Sequence, residues 1–371
     1  MVISPTAYVH IFMISMYLLC FWVGVSYMQS ADNSKLLRVQ PLYIPVIVAF
    51  LIIYFLGWRP ISFEFGDSVM YAYTFRHLSP SQEIHIDLRH EWLFDLIELL
   101  CVKLQLSIYV WFLLIEAGYI GLQLWALKKL LHENVWLALL FLLSSFSFYS
   151  FGVNGIRNGV ACAMMVLALA YLVENKWIPY LLLCFLAWGC HHSIILPAIA
   201  MLVAKTVLRN PLYSIYIWIC SIALSLLMGN QLTQWIANLG IDARLSSYTD
   251  TQAVLNQASE FSHIGFRWDF LLYSSIPIFL TWYVSQHKLI QDKTFNIIAN
   301  TYILCNAFWV IVIRSSFSNR FAYLSWFLFP IVIAYAFIRL PIWSNQDSKT
   351  GTALLLHATF TFTMYLIGKI T

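Results

Sequence analysis

The stretch that decides the fold is Asn154–Pro197, NGIRNGVACAMMVLALAYLVENKWIPYLLLCFLAWGCHHSIILP. Arg157 opens one apolar segment, the chain turns at the polar residues 174–176, and a second apolar segment ends at His191 and His192. An α-helix rises ~1.5 Å per residue, so ~16 residues out and ~15 back return the chain to nearly its starting height. The stretch therefore predicts a helical hairpin that places Arg157 and the histidine pair at the same face of a membrane.

Charged and titratable side chains are costly among apolar helices unless they bind something. Arg157 offers five donors, and its position at a helix N-terminus adds free backbone N–H groups that attract anions. The sequence therefore predicts a site for an anionic, lipid-linked substrate at this face. The alternative for Arg157 is a helix-end arginine that reaches outward to lipid head groups.

The composition excludes a soluble globular domain. The chain has 371 residues, of which 61% are hydrophobic and 10% charged, and its mean hydropathy is +0.75. These values predict an all-α, polytopic helical bundle, with residues 1–371 forming a single transmembrane domain. The apolar segment 6–28 is too long for a removable signal peptide and is predicted to be the first span.

The seven cysteines lie in or beside apolar stretches and show no C-x-x-C spacing. Free cysteine behaves as a small hydrophobic residue, so we expect buried thiols rather than disulfides or a zinc site.

A spanning helix needs ~20 mostly apolar residues, and about 12 transmembrane helices are predicted on that basis. The segment 91–105 is apolar at helical spacing but carries four charges, which indicates an amphipathic or partly inserted helix; a full crossing is the alternative. The predicted spans are 6–28, 42–57, 107–127, 135–152, 157–173, 177–190, 193–205, 212–229, 268–285, 294–313, 320–338 and 352–368.

Lysines and arginines in short loops favour the cytoplasmic side, and placing the pairs such as Lys35/Arg38 and Lys205/Arg209 there assigns two long loops, 58–90 and 230–267, to the outer face. Many arginines then lie on the outer face, against the usual orientation bias, and anion binding would explain them. These are Arg59, Arg76, Arg89, Arg157, Arg244, Arg267, Arg314 and Arg320.

An ordered set of short motifs covers roughly residues 57–338. They are R-P-x(6)-D-x(3)-Y from Arg59, E-W-L-F from Glu91, G-x-R-N ending at Asn158, H-H-S-x(3)-P from His191 and N-R-F-A-Y from Asn319. In that order the chain resembles the EpsG-like branch of the Wzy-type polysaccharide polymerases. The family often has R-Q where this chain has R-N, and E-P-L-F where it has E-W-L-F; neither departure removes a charge.

The resemblance implies a multi-pass protein of the bacterial inner membrane that joins oligosaccharide units carried on undecaprenyl diphosphate, at the outer face. It implies no nucleotide, metal or other cofactor and no nucleic-acid partner. Besides the lipid-linked oligosaccharide, the implied partners are membrane lipids, and a chain-length regulator is left open.

The chemistry implied by the resemblance assigns roles to particular residues. A departing diphosphate needs arginines, and an acceptor hydroxyl needs a base. Adjacent helical residues diverge by ~100°, so one histidine faces the substrate, and we favour His192 over His191. Interhelical hydrogen bonding by the histidines, helix anchoring by the arginines and helix capping by Asp67 are the structural alternatives. The predicted residues are Arg157, Arg320, Arg59 and Arg314 for the diphosphate; His192, His191, Asp67 and Glu91 for catalysis; and Tyr71, Arg267 and Tyr248 for sugar.

Two other functions remain open at this point. A lipid-linked oligosaccharide flippase or other transporter would distribute charges through the depth of the bundle and show an internal repeat. A membrane acyltransferase that modifies polysaccharide would place its histidine within reach of a cytoplasmic acyl donor.

Overall fold

The computed structural model describes residues 4–29, 40–238, 265–286, 292–315 and 318–368, and this part of the chain contains helices and no strand. The backbone forms two compact units: unit 1 comprises residues 1–191 and 337–371, and unit 2 comprises residues 192–336. The predicted all-α class is confirmed. The prediction of a single domain stays a prediction.

The helices are numbered in chain order. Unit 1 contains α1 (Pro5–Gln29), α2 (Tyr43–Gly57), α3 (Ser68–His77), α4 (Trp92–Lys103), α5 (Ile108–Leu131), α6 (Val135–Leu143), α7 (Phe146–Val153), α8 (Ile156–Val173), α9 (Trp177–Cys190) and α16 (Gln346–Leu366). Unit 2 contains α10 (Ile195–Thr206), α11 (Pro211–Asn238), α12 (Trp268–Gln286), α13 (Lys293–Ile311) and α14 (Ser318–Trp326), and α15 (Phe329–Arg339) runs from unit 2 into unit 1. Short 3₁₀ turns lie at Phe63–Phe65, His132–Asn134 and His192–Ile194.

The described part makes the chain a multi-pass membrane protein, but the count of 12 transmembrane helices is not confirmed. Six helical runs are long and apolar enough to span a membrane: Pro5–Gln29, Ile108–Leu143, Ile156–Val173, Pro211–Gly229, Lys293–Ile311 and Ser318–Arg339. Three shorter helical runs are apolar: Tyr43–Gly57, Trp177–Cys190 and His192–Thr206.

Two predicted continuous spans are broken. The segment 135–152 divides into α6 and α7 at Ser144 and Ser145, because the Ser144 hydroxyl donates to the Phe141 carbonyl at 3.2 Å and Ser145 adopts extended dihedral angles. The segment 320–338 divides into α14 and α15 just before Pro330, which has no N–H to continue the first helix.

Helix α4 agrees with the prediction that 91–105 does not fully cross the membrane. It has 12 residues, which span ~18 Å against a hydrocarbon core ~30 Å thick. It packs on α9, α3 and α5.

Helices α5 and α8 of unit 1 pack side by side and run in the same direction. Near their ends, Lys129 of α5 contacts Glu174 just after α8, with Nζ–Oε1 at 2.7 Å. Arg157 therefore lies ~26 Å along α8 from this ion pair. We call the two ends of unit 1 the Arg157 end and the Lys129 end.

Arg59 lies at the Arg157 end and is fully buried. Its Nη1 donates to Glu116 Oε1 of α5 at 3.2 Å and to the Leu56 carbonyl at 2.8 Å. The guanidinium also lies 4.2 Å from the centroid of the Phe112 ring. A buried charge is tolerated only when paired and hydrogen-bonded, and Arg59 meets that condition entirely with protein groups.

The same arginine fastens the loop after α2 to the α7–α8 junction. Its Nε donates to Ser68 Oγ at 3.2 Å, and Ser68 Oγ donates to the Val153 carbonyl at 3.0 Å. Nearby, Asn154 Oδ1 accepts from the Asp67 backbone N–H at 3.0 Å. These bonds fix the start of α3 beside the start of α8.

Unit 2 is held together by interhelical hydrogen bonds as well as apolar packing. Trp218 of α11 donates to Asn306 Oδ1 of α13 at 2.9 Å, and Asn306 Nδ2 donates to Ser325 Oγ of α14 at 3.0 Å. Trp326 donates to Ser274 Oγ of α12 at 2.7 Å. Four helices of unit 2 are thereby connected through polar contacts.

Removal of the Arg59 charge alone should destabilise unit 1. We expect Arg59→Met to cost about 3–5 kcal/mol, because Glu116 would remain buried without its partner. Thermal unfolding of the purified protein in detergent measures the loss, and Arg59→Met combined with Glu116→Met should recover part of it. An Arg59→Met protein as stable as wild type would contradict this structural role.

Candidate functional site

Four polar side chains converge at the Arg157 end of unit 1. Tyr71 comes from α3, Glu91 immediately precedes α4, Arg157 lies in the first turn of α8, and His191 follows α9. We call them the Glu91 cluster. The hairpin prediction is confirmed for His191, because Arg157 and His191 both contact the Glu91 carboxylate.

Glu91 is the shared partner of the cluster. Its Oε2 accepts a hydrogen bond from Arg157 Nη1, and its Oε1 lies 2.7 Å from His191 Nδ1. The Arg157 Nε donates to the Tyr71 hydroxyl at 3.4 Å. One carboxylate thus fixes a cation and an imidazole relative to each other, although they come from helices on opposite sides of a turn.

The cluster is only partly enclosed. The Arg157 side chain is 36% exposed, whereas those of Glu91 and His191 are 11% and 12% exposed. In the described structure Arg157 Nη2 and His191 Nε2 make no hydrogen bond. These donors and this ring nitrogen are therefore the atoms that a ligand would meet.

Aromatic rings restrict the movement of Arg157. Its guanidinium carbon lies 5.5 Å from the Tyr71 ring centroid and 5.6 Å from that of Phe94. Trp111 in turn packs against both rings, at 6.1 and 5.5 Å. Cation–π contacts of this kind hold a guanidinium without using its hydrogen-bond donors.

The contact with Glu91 also selects the tautomer of neutral His191. A carboxylate accepts hydrogen bonds, so Nδ1 must carry the proton, and Nε2 is left with its lone pair. The imidazole is then oriented to accept a proton through Nε2. This is the arrangement that a general base requires.

Helix α4 extends the acidic character of the site beyond Glu91. Asp95 and Glu98 follow at spacings of four and seven residues, on the same face as Glu91. Glu98 is 5% exposed, and its Oε1 has no hydrogen-bond partner in the described structure. Burial and, after it, the charge of Asp95 raise the pKa of Glu98 to about 7, and the positive charge of Arg157 opposes the shift.

Two predicted residues of unit 1 lie outside the cluster. Arg59 is buried against Glu116, with its guanidinium occupied by protein groups, so we correct its predicted diphosphate contact to a structural role. Asp67 is exposed, and its carboxylate neither caps α3 nor joins the Glu91 cluster.

The geometry bears on two further predictions. The preference for His192 over His191 as the base stays a prediction, but the chain leaves the helical conformation at His191, and this residue turns onto the Glu91 carboxylate. Tyr71 is 8% exposed, so its ring is packed against protein and its hydroxyl supports Arg157 rather than offering a face to sugar.

The remaining predicted residues are not part of unit 1. His192, Arg267, Arg314 and Arg320 belong to unit 2. Arg267 pairs with Asp269 at 2.7 Å and lies 3.6 Å from the Phe270 ring centroid, whereas Arg320 is exposed. Tyr248 lies outside the described residues.

The sequence interpretation missed Glu116, Asp95 and Glu98 as parts of this region. Glu116 carried a usable signal, because a carboxylate inside an apolar span needs a partner. The acidic face of α4 was visible in the spacing of Glu91, Asp95 and Glu98, but charges on an amphipathic helix are more often solvated.

Comparison with known proteins places the chain in a family. The model of the EpsG family matches residues 42–371, which is most of the chain and includes all four members of the Glu91 cluster. The search of curated proteins and the search of solved structures gave no match.

The packing of α4 on α9 can be tested at Gly189. A Cβ atom there would lie 2.6 Å from Cε2 of Trp92, the residue next to Glu91. We expect Gly189→Ala to cost about 1–3 kcal/mol through overpacking. Thermal unfolding should show the loss, and Trp92→Leu in the same chain should restore stability.

Gly121→Ala is the matched control for that substitution, because a Cβ at Gly121 would meet nothing within 4 Å. Equal stability of the two glycine variants would show that the contact between α4 and α9 is looser than described.

The raised pKa of Glu98 predicts a pH-dependent effect on stability. Folding raises this pKa from 4.5 to about 7, because the ionised carboxylate is less stable in the folded protein than in the unfolded chain. The free energy of unfolding therefore falls as pH rises through that interval. Glu98→Gln should therefore raise the unfolding temperature at pH 8 more than at pH 5. The exposed Glu83→Gln serves as control; an identical pH profile for Glu98→Gln and wild type would contradict the prediction.

Proposed function

The chain belongs to the EpsG family of membrane proteins, which is of the polysaccharide polymerase type, and we propose that it is a glycosyltransferase. In this proposal it polymerises oligosaccharide units carried on undecaprenyl diphosphate into a surface polysaccharide, at the outer face of the bacterial inner membrane. The observation that carries the proposal is the Glu91 carboxylate shared between Arg157 and His191.

Arg157 is assigned to the diphosphate of the donor. When the sugar C1–O bond breaks, the phosphate oxygen keeps the electron pair and negative charge develops on the leaving group. A guanidinium that is already oriented stabilises this charge with little reorganisation. Nη2 of Arg157 has no protein hydrogen bond in the described structure, and the side chain is 36% exposed.

His191 is assigned to the acceptor. Its Nε2 takes the proton of the acceptor hydroxyl as that oxygen forms a bond to C1 of the donor sugar. Glu91 does not touch the reacting atoms in this scheme and is a positioning residue: it holds the imidazole in the required tautomer and stabilises the imidazolium that results. Proton and leaving group are thus handled by two side chains fixed to one carboxylate.

The distribution of lysines supports an outer-face site. Lys128, Lys129 and Lys176 all lie at the Lys129 end of unit 1, opposite the Glu91 cluster. Lysine and arginine near span ends both favour the cytoplasmic side. The lysines direct the Arg157 end outward once Arg59 is assigned to the fold and Arg157 to the ligand. An acyltransferase with a cytoplasmic donor would require the opposite orientation.

Loss of Arg157 should stop polymerisation. In an elongation assay with purified protein and a defined undecaprenyl-diphosphate-linked unit, Arg157→Ala should lower kcat/KM at least ~100-fold, because an oriented charge is removed from the leaving group. Arg157→Lys should be intermediate, since lysine keeps the charge but not the planar fork. Cells that carry Arg157→Ala should accumulate single lipid-linked units.

Arg339→Ala is the matched control, since Arg339 is exposed and is the C-terminal residue of α15. Chains of normal length from Arg157→Ala would refute the assignment of Arg157, and an equal defect in Arg339→Ala would indicate a general effect of lost positive charge.

A further inference from the structure

A cavity of about 540 Å³ lies at the Arg157 end of unit 1, separate from the four side chains of the Glu91 cluster. Its walls come from the start of α1, the 3₁₀ turn Phe63–Phe65, the α7–α8 junction and the end of α16. Ligand sites in proteins commonly enclose ~300–1,000 Å³. The cavity is therefore large enough for a small ligand, and neither the proposed donor site nor the proposed base accounts for it.

The cavity presents polar groups of several kinds. The Glu64 carboxylate is held by the Thr6 hydroxyl, which lies 3.0 and 2.9 Å from its two oxygens. Asn154 is oriented by the Asp67 backbone N–H, which donates to Oδ1 at 3.0 Å, so its Nδ2 remains a donor. Tyr149 is 3% exposed, and its hydroxyl makes no hydrogen bond in the described structure. A buried hydroxyl without a partner costs free energy unless a ligand or water satisfies it.

An aromatic ring borders the same space. Phe63 lines the cavity, and its side chain is 78% exposed. It is adjacent to Glu64 on a 3₁₀ turn whose Ser62 hydroxyl accepts from the Glu64 N–H. An exposed ring beside an oriented carboxylate and an amide suits the apolar face and the hydroxyl groups of a sugar.

The charge of the lining argues against a phosphate or an acidic sugar. Among the described residues that line the cavity, Glu64 is the acid, His10 is a histidine whose Nδ1 contacts the Tyr365 hydroxyl, and there is no lysine or arginine. A phosphate or a uronic acid would meet the Glu64 carboxylate without a lysine or arginine to compensate it, and like charges in such a site repel. Neutral sugars and amino sugars meet no such penalty.

The cavity is connected to the Glu91 cluster through the chain. Asn154 lines the cavity and lies three residues before Arg157, and its partner Asp67 lies one turn before Tyr71, which contacts Arg157. We propose that this cavity is a subsite for an uncharged or amino sugar of the repeat unit, next to the diphosphate site on Arg157. The inference rests on the proposed function, because it names a sugar of that function's substrate.

The test measures sugar binding without turnover. Purified protein in lipid nanodiscs is mixed with methyl glucoside or with glucuronate, and saturation-transfer NMR reports binding; nanodiscs are needed because maltoside detergents carry the sugars under test. We expect transfer to methyl glucoside at least threefold stronger than to glucuronate. Phe63→Ala should abolish it, and Glu64→Gln should bring the two sugars to similar signals. Equal transfer to both sugars with wild type, or unchanged transfer with Phe63→Ala, would overturn the proposal.

Two controls separate this inference from the proposed function. Phe50→Ala removes another exposed ring, 65% exposed on α2, and should leave sugar binding intact. Arg157→Ala should lose elongation and retain the saturation-transfer NMR signal of methyl glucoside. In the elongation assay Phe63→Ala should raise KM for the lipid-linked unit about tenfold, with kcat within about twofold of wild type.

The outcomes are distinguishable. One outcome is elongation that depends on Arg157 but not on Phe63 or Glu64, together with no saturation-transfer NMR signal from methyl glucoside. This outcome leaves the proposed function standing and refutes the subsite. The other outcome is an NMR saturation-transfer signal that depends on Phe63 and Glu64, in a wild-type protein that does not elongate chains. This outcome supports a sugar site and refutes the proposed polymerising activity.

Discussion

The structure of the site depends on the Glu91 carboxylate, which contacts Arg157 and His191 at once. Neither partner is well placed without it: an arginine among aromatic rings needs a counter-charge, and an imidazole near an apolar helix end needs a partner that fixes its tautomer. Glu91 supplies both from one side chain because α4 begins between the start of α8 and the end of α9. The proposed chemistry follows from this placement, since one carboxylate holds the group that receives the leaving diphosphate and the group that receives the proton.

A second buried ion pair makes that placement possible. Arg59 and Glu116 join α2 to α5, and the bonds from Arg59 through Ser68 to Val153 hold α3 against the start of α8. Gly66 belongs to the same arrangement: its φ is +57°, and a Cβ there would lie 2.3 Å from Asn154 Oδ1. The loop after α2 is thus closely fitted to the α7–α8 junction, and the two charges at this end of unit 1 have different tasks. Arg59 stabilises the fold, whereas Arg157 keeps donors available to a ligand.

Much of the architecture was predictable from apolar periodicity, and the limits of α8 and α9 followed from polar residues at 174–176 and 191–192. The nearness of Arg157 to His191 followed from helix rise alone. The role of Arg59 was not predictable, because its burial depends on Glu116, which lies 57 residues from it in sequence. The contact of His191 with Glu91 was also not predictable, since the sequence interpretation assumed a continuous helix where the chain takes an extended conformation. Pairings across the bundle, rather than local sequence, decided these cases.

A double-mutant cycle on elongation tests the central claim most directly. Glu91→Gln can still accept a bond from Arg157, but its amide N–H₂ would then face His191 Nδ1 and move the ring proton to Nε2, so the base is lost. If Glu91 acts through His191, the Glu91→Gln/His191→Gln enzyme should have the same kcat/KM as His191→Gln alone, within about twofold. Losses that multiply in the double variant would contradict the account, because the two residues would then act independently.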